Sequence, residues 1–323
     1  MTDLVRVDGS NAESILDATF GIWHEGLSRP AYSRYWAGQV GTPWGRVRLS
    51  RYALVNGADV LSSAKLYEFD GILDGHPLRI GGIGAVFTMP PHRGRGAGRE
   101  IVERLTTLAA ERGSDAALLF SEIEPDYYAR LGFQTIPVRD LTLRVREDAR
   151  RGAPAALVRA GDDRDFEQIV AMDASRSKPF RFHLSRVRDL VHFAIAKRRL
   201  LAGLSAPGAR SVLFSVAEEG ASAVAYVVVG TNGNEWSLDS CGDRDPAGAR
   251  LGAILQSLIA RDPGGQRPTI TGWLPPNLRP PQVEVVREQP ATDVMMVRAL
   301  TDHGRGLMTL SADDVFFWRG DRF

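Results

Sequence analysis

The sequence predicts an α/β fold, α+β in strict terms, in which two successive halves each build a mixed, mostly antiparallel sheet flanked by helices. Three observations predict it. Tight-turn dipeptides join alternating apolar runs in the first half. A glycine-rich loop there leads from a strand into an amphipathic helix, and the second half repeats the order of elements.

The first half opens with a strand-like run at 4–7, Ser10 as an N-cap and an apolar-periodic helix over 15–23. Residues 26–46 are rich in Gly, Pro and aromatics, show no clean period, and read as irregular and partly helical. Runs at 47–55 and 60–69 flank Asn56-Gly57, and Asp74-Gly75 leads into a third strand at 78–89, which Pro90 and Pro91 end. Ile101, Val102, Leu105, Leu108 and Ala109 recur at helical spacing, with Gly113 as the stop. A buried strand at 116–120, a short helix at 125–130 and an extended pair from Gly132 to Val145 complete this half.

Residues 147–154 are charged, small and proline-terminated, as a linker between two cores is, so the expected domains are 1–150 and 155–323. The second half offers strands at 156–159, 212–216, 223–229, 236–240, 269–273, 283–286 and 294–298, and helices at 163–172, 187–200 and 249–259.

At 323 residues and 44% hydrophobic, the chain can bury two ordinary cores. Its 40 basic and 39 acidic residues nearly cancel, which argues against a global field for nucleic acid or an anionic membrane and favours a small-molecule or local-site function. A single cysteine, Cys241, permits no intramolecular disulfide, no apolar run is long enough to span a bilayer, and the first residues lack an apolar signal core, so cytoplasm is the expected compartment.

The most informative stretch runs from Met89 to Gly98, between a strand and a helix. Glycines let backbone approach an anion, a helix start offers unpaired N–H donors and a favourable dipole, and Arg93 and Arg95 add mobile positive charge, so a pyrophosphate fits. The Lys-Ser/Thr ending of a P-loop is absent, the glycines run G-x-G-x-G rather than G-x-G-x-x-G, and the preceding strands are hairpin-linked rather than part of a βαβ series.

What remains, Arg-x-x-Gly-x-Gly from Arg93 to Gly98, resembles the acyl-CoA signature of the GNAT N-acyltransferase superfamily. Tyr127-Tyr128-Ala-Arg-Leu131-Gly132-Phe133 is similar to its aromatic-Tyr-x-x-Leu-Gly-Phe segment. Within the superfamily, residues 85–93 and Ser121-Glu122 with Tyr128-x-Arg-x-Gly-Phe are most similar to the enhanced intracellular survival (Eis) type, which also has tandem GNAT domains. The likeness covers about 1–150 well and the remainder by architecture only. A departure is that family's third, sterol-carrier-like domain, for which this chain is too short, so its aminoglycoside or protein-lysine substrates do not carry over.

The resemblance implies acetyl-CoA as co-substrate, a small-molecule or peptide primary amine as acceptor, and direct attack on the thioester. Val86, Phe87 and Thr88 would face the pantetheine amides; Arg93, Gly94, Arg95, Gly96, Ala97 and Gly98 would bind the pyrophosphate; Ser121 and Glu122 would flank the reactive end. Tyr128 is the expected general acid, with Tyr127 the competing choice and aromatic packing beside Phe133 the structural alternative. The resembled family uses its terminal carboxylate as base; this sequence also ends in phenylalanine, Phe323, without the domain that delivers it there, and water-mediated transfer competes. Trp23, Glu25, Trp36 and Trp44 are candidate acceptor contacts through cation–π and charge-assisted bonds, or core residues.

In the second half the matching region, Ser240 to Arg250, carries Asp243 and Asp245, which repel a pyrophosphate, so that half is expected to be degenerate and to shape the acceptor site or a homo-oligomer. Cys241 lacks an activating histidine and reads as buried and inert, and the six scattered histidines suggest no metal. The basic run at 176–199 reads as a solvated face or an interdomain salt-bridge surface, with RNA or an acidic partner as the rival. The rival to an enzyme is a non-catalytic acyl-CoA-binding or sensing protein with a partner-binding second half.

Overall fold

The computed structural model describes residues 2–7, 9–146, 157–262 and 267–323, without the side chains of 9–11, and the expected linker at 147–154 lies outside these. The chain starts with strand β1 (Asp3–Arg6) and helix α1 (Gly9–Trp23). Where an irregular stretch is expected there are two helices, α2 (Arg29–Gly41) and α3 (Pro43–Arg48). Ser28 caps the first by accepting from the Ala31 N–H, Thr42 caps the second by accepting from the Gly45 N–H, and both helices carry proline in the first turn. No period is legible here because α2 turns a mixed set, Tyr32, Tyr35, Trp36 and Gln39, toward a cleft.

A meander follows of β2 (Leu49–Asn56), β3 (Asp59–Leu73) and β4 (His76–Thr88), and then α4 (Ala97–Glu111), β5 (Ala116–Ser121), the single turn α5 (Asp126–Ala129), β6 (Gln134–Thr135) and β7 (Arg139–Val145). The second half contributes β8 (Leu157–Ala160), α6 (Phe166–Ser177), β9 (Phe182–Leu184), α7 (Arg188–Leu204), β10 (Arg210–Glu219), β11 (Ser222–Asn232) and β12 (Glu235–Asp243). Helix α8 (Ala249–Arg261), β13 (Thr269–Gly272), β14 (Val283–Pro290), β15 (Val294–Ala299) and β16 (Val315–Phe316) close the chain. The expected elements are present, and the two short strands β9 and β16, invisible to periodicity, pair with each other.

The described strands form two mixed, mostly antiparallel sheets, ordered β1-β2-β3-β4-β5-β15-β6 and β14-β7-β13-β12-β11-β10-β8, with β9 and β16 attached to the first along β3. The sheets exchange strands. Instead of pairing with β6, β7 crosses into the second sheet, where Leu141, Leu143 and Val145 join the core around Trp236 and Leu251. In return β15 enters the first sheet antiparallel to β5 and buries Met295, Met296 and Val297. The halves expected as 1–150 and 155–323 therefore each contribute to both sheets, because a fully apolar strand states that it is buried and not beside which partner. Among the described residues no helix is long and apolar enough to cross a membrane.

Candidate active site

Parallel pairing between β4 and β5 joins Ile80–Gly82 to Ala116–Leu118 and goes no further, although β4 continues to Thr88 and β5 to Ser121. On the other side of β4, Ala85 has φ +50 and the register slips opposite Ala64, a bulge that turns the strand. The unpaired ends of β4 and β5 border a cleft of about 480 Å³. Gly84, Ala85 and Val86 line it from β4, Phe120 and Glu122 from the β5 side, and Tyr128 from α5.

At one end of β4 stands the glycine loop. Gly94 and Gly96 adopt φ +74 and +85, conformations in which a side chain is strained. Gly96 occupies the N-cap of α4 and no side chain caps that helix, so the first amide donors of a four-turn helix face outward. At Gly98 a Cβ would come within 2.8 Å of Thr88 Oγ1 and 3.1 Å of the Tyr127 hydroxyl, so only glycine fits there without displacement. Arg93 and Arg95 are exposed, with Arg93 Nε donating to the Thr88 carbonyl at 3.3 Å. Ala97 is buried and anchors the helix start in the core.

Tyr128 is buried, edge-on to Tyr127 and Phe133, and burial raises its phenol to about 12. It lines the cleft, while Tyr127 lies against Gly98. Ser121 is buried and its hydroxyl donates to the Ile123 carbonyl at 2.8 Å. The Glu122 carboxyl is raised by burial and further by Asp293 and Glu25.

Trp23, Glu25 and Trp36 line the cleft from the α1–α2 region. Trp23 stands edge-on to the buried Phe87, 5.9 Å between ring centres, and Glu25 pairs with Arg210 at 3.3 Å. Trp44 differs from expectation: it is buried against Phe69 and Phe193 and belongs to the core, because its position on α3 faces the sheet rather than the cleft.

Phe323 is in the cleft although its approach was not legible. The tail after β16 returns across the first sheet, held by Arg319 and Arg322 on Asp140 of β7 and by the Arg322 carbonyl on Lys197 Nζ at 2.7 Å. The Phe323 ring packs on Tyr67 and Phe69, and a Cβ at Gly82 would meet it at 2.5 Å. Its backbone carbonyl carbon is 3.4 Å from where Gly84 would carry a Cβ, at the splayed part of β4. Asp321, two residues earlier, is buried on Arg186, which also pairs with Asp173. The basic run of 176–199 is thus largely an internal salt-bridge surface: Arg181 pairs with Asp74, Arg198 with Asp239.

Residues missed from the sequence are Arg51, Lys65 and Lys197, which form one basic wall of the cleft. For Arg51 and Lys65 the signal was a single basic residue within each of two strand-forming runs.

Residues 43–136 match the family described as Acetyltransferase (GNAT) domain. Over these residues the chain carries an acetyltransferase (GNAT) domain. The matched stretch holds the glycine loop, the splayed strands and Tyr128, and ends just before β7, the strand that leaves for the other sheet. No curated protein matches the sequence. In fold, the chain is similar to a GCN5-related N-acetyltransferase from Kribbella flavida, with 17% identity, TM-score 0.65, and coverage of 93% of this chain and 72% of that one. It is similar to Eis1 from Mycobacterium abscessus, with 17% identity, TM-score 0.54 and coverage of 93% and 74%. A tandem GNAT protein from the clavulanic acid biosynthesis pathway aligns with 13% identity, TM-score 0.55 and coverage of 93% and 99%. These likenesses establish the tandem GNAT fold.

Proposed function

We propose that the protein transfers an acetyl group from acetyl-CoA to a primary amine, with the glycine loop and Tyr128 supplied by the first half and the second half closing the acceptor side of the cleft. The observation that carries this reading is the gap between β4 and β5, flanked by an uncapped helix start and by Tyr128. The open α4 amides with Arg93 and Arg95 suit a pyrophosphate, and the β4 backbone at Val86–Thr88, unpaired on its β5 side, suits the pantetheine amides. Acetyl-CoA supplies the thioester; a C–N bond forms as the C–S bond breaks.

Tyr128 gives its proton to the departing sulfur. Its raised pKa keeps it protonated across the neutral range and makes the hydrogen bond from it, rather than full acidity, its main contribution. The proton leaving the amine goes to water or to the Phe323 carboxylate, which the tail holds beside Gly84. Appending glycines after Phe323 tests that role, and a chain so extended should lose turnover while retaining acetyl-CoA.

Thermal shift with acetyl-CoA, CoA and NAD in parallel tests the whole reading. A ligand at a hundred times its Kd adds about 2.7 kcal/mol, so stabilisation by the first two and not by NAD is expected; no response to either CoA species sinks it. Tyr128→Phe should lower kcat by about a hundredfold or more with acetyl-CoA binding intact. Unchanged turnover would remove Tyr128 from the chemistry and favour the reading as a non-catalytic acyl-CoA sensor.

A further inference from the structure

Arg51 of β2 and Lys65 of β3 are directly opposite in the antiparallel ladder. Like charges in that position repel, and both cations lean over the same Trp36 ring, at 4.8 and 5.1 Å from its centre. Arg51 is only 3% exposed, and its Nε and Nη1 have no hydrogen-bond partner. The guanidinium sits beside the Tyr32 hydroxyl, and among the described residues no carboxylate forms an ion pair with it or with Lys65. Burial, Arg51 and Lys197 all disfavour the Lys65 ammonium, with no acid to offset them.

The arginines elsewhere around the cleft are compensated, while among the described residues Lys197 has only the Arg322 carbonyl. Arg198 holds Asp239, Arg319 and Arg322 hold Asp140, and Arg210 holds Glu25. Carboxylates gather elsewhere, where Glu122 is close enough to Asp293 and Glu25 for each to raise it. The cleft is therefore bipolar: one wall of uncompensated cations, one cluster of acids.

An uncompensated buried guanidinium costs several kcal/mol unless an anion arrives to meet it. We infer that the cleft receives a carboxylate on Arg51 and Lys65, so that the acceptor is an amine that also bears a carboxylate, its ammonium end toward Glu122 and its acid end on the basic wall. This rests on the acetyl-transfer reading and narrows its substrate class. Two donors on adjacent strands fix the direction in which such a molecule lies, and a polycationic amine meets repulsion at the same place.

The test pairs substrates that differ in one charge. CoA release from acetyl-CoA is measured with α- and ω-amino acids, their carboxamides, and the decarboxylated amines, for the wild type, Arg51→Met and Lys65→Met. Charge-assisted bonds predict that kcat/KM favours the acids by about ten- to a hundredfold, and that either substitution collapses the preference. Equal use of acids and carboxamides by the wild type, or preference for polyamines, overturns the inference. Turnover that requires succinyl- or malonyl-CoA, with no preference among amines, also overturns it, by moving the carboxylate to the donor.

Melting temperature supplies a readout that needs no acceptor. Because these cations lack carboxylate partners among the described residues, Arg51→Met should raise Tm by about 2–4 °C; a fall in both variants would show that the pair holds the fold together, and would overturn the inference even if no probe amine is turned over. The acetyl-CoA thermal shift of the wild type is independent of all these outcomes, so its loss would count against acetyl transfer and not against the basic wall.

Discussion

Helices α4 and α8 begin in the same way and end up with opposite properties. Each has a left-handed glycine at its N-cap, Gly96 at φ +85 and Gly248 at φ +71. At α8 the Asp243 carboxylate folds over the helix start and accepts from the Arg250 and Leu251 amides at 2.9 and 3.0 Å. At α4 no side chain does this. The buried charges divide likewise: Arg186 lies between the carboxylates of Asp173 and Asp321, whereas among the described residues no carboxylate forms an ion pair with Arg51. Open donors are costly in a folded chain, and those that persist mark where a ligand supplies what the protein omits. At α8 the second half has closed the donors that α4 leaves open.

The largest effect follows from breaking what is satisfied. Arg186→Met leaves two buried carboxylates without their cation and unpins the tail that carries Phe323, and should cost about 3–5 kcal/mol in urea unfolding. A loss below about 1 kcal/mol would mean the network adds little, and the contrast with Arg51 would fail. Next comes closing what is open. Gly96→Asp brings a carboxylate to the α4 start, as Asp243 does for α8 from the end of β12; aspartate enters the left-handed region more readily than most residues, and the new side chain competes for the amides that a pyrophosphate needs. Acetyl-CoA affinity by calorimetry should drop by about a hundredfold, with stability lowered by about 1–2 kcal/mol through the strained backbone, and an unaltered Kd would remove the α4 start from cofactor binding. The reciprocal change, Asp243→Ala, should cost about 1–2 kcal/mol through the lost cap and create no acetyl-CoA site, since no arginine pair precedes α8 as Arg93 and Arg95 precede α4.

The fold was legible where local chemistry decides it. Asn56-Gly57, Asp74-Gly75 and Gly113 all adopt the positive φ at glycine that their turns and helix end demand, and Gly96 gives the helix start its shape. Strand exchange was not legible, because the Val294–Ala299 run declares its burial without its neighbours. The glycine-loop end of the cleft was readable from contiguous motifs. Its basic wall was not, for it is assembled from β2, β3 and α7. The hairpin turn taken alone pairs Arg51 with Ala64; the extra residue at Leu61 shifts the register by one and sets Arg51 against Lys65. Trp36 and Trp44, on successive helices, face respectively the cleft and the core, a distinction no composition argument makes.

The smallest effect tests whether the basic wall carries its cost in the free protein. Lys197 on α7 donates to the Arg322 carbonyl, and burial, aided by Arg198, pushes its ammonium down to about 8 from the ordinary 10.5. Asp239 and Asp321 oppose the shift without cancelling it. Between those values the unfolded chain binds a proton that the folded chain has released, so this group makes stability rise with pH across that window. Below it both forms are protonated and the folded state bears the burial cost in full. Unfolding free energies at about pH 8, 9 and 10 should therefore gain on those of Lys197→Met, which lacks the titration, and the difference between the two proteins holds the Lys197 titration together with the part of the Lys65 shift that Lys197 imposes. A flat difference would mean that Lys197 stays charged against the Arg322 carbonyl in the folded protein, and that the wall tolerates its cations without an anion.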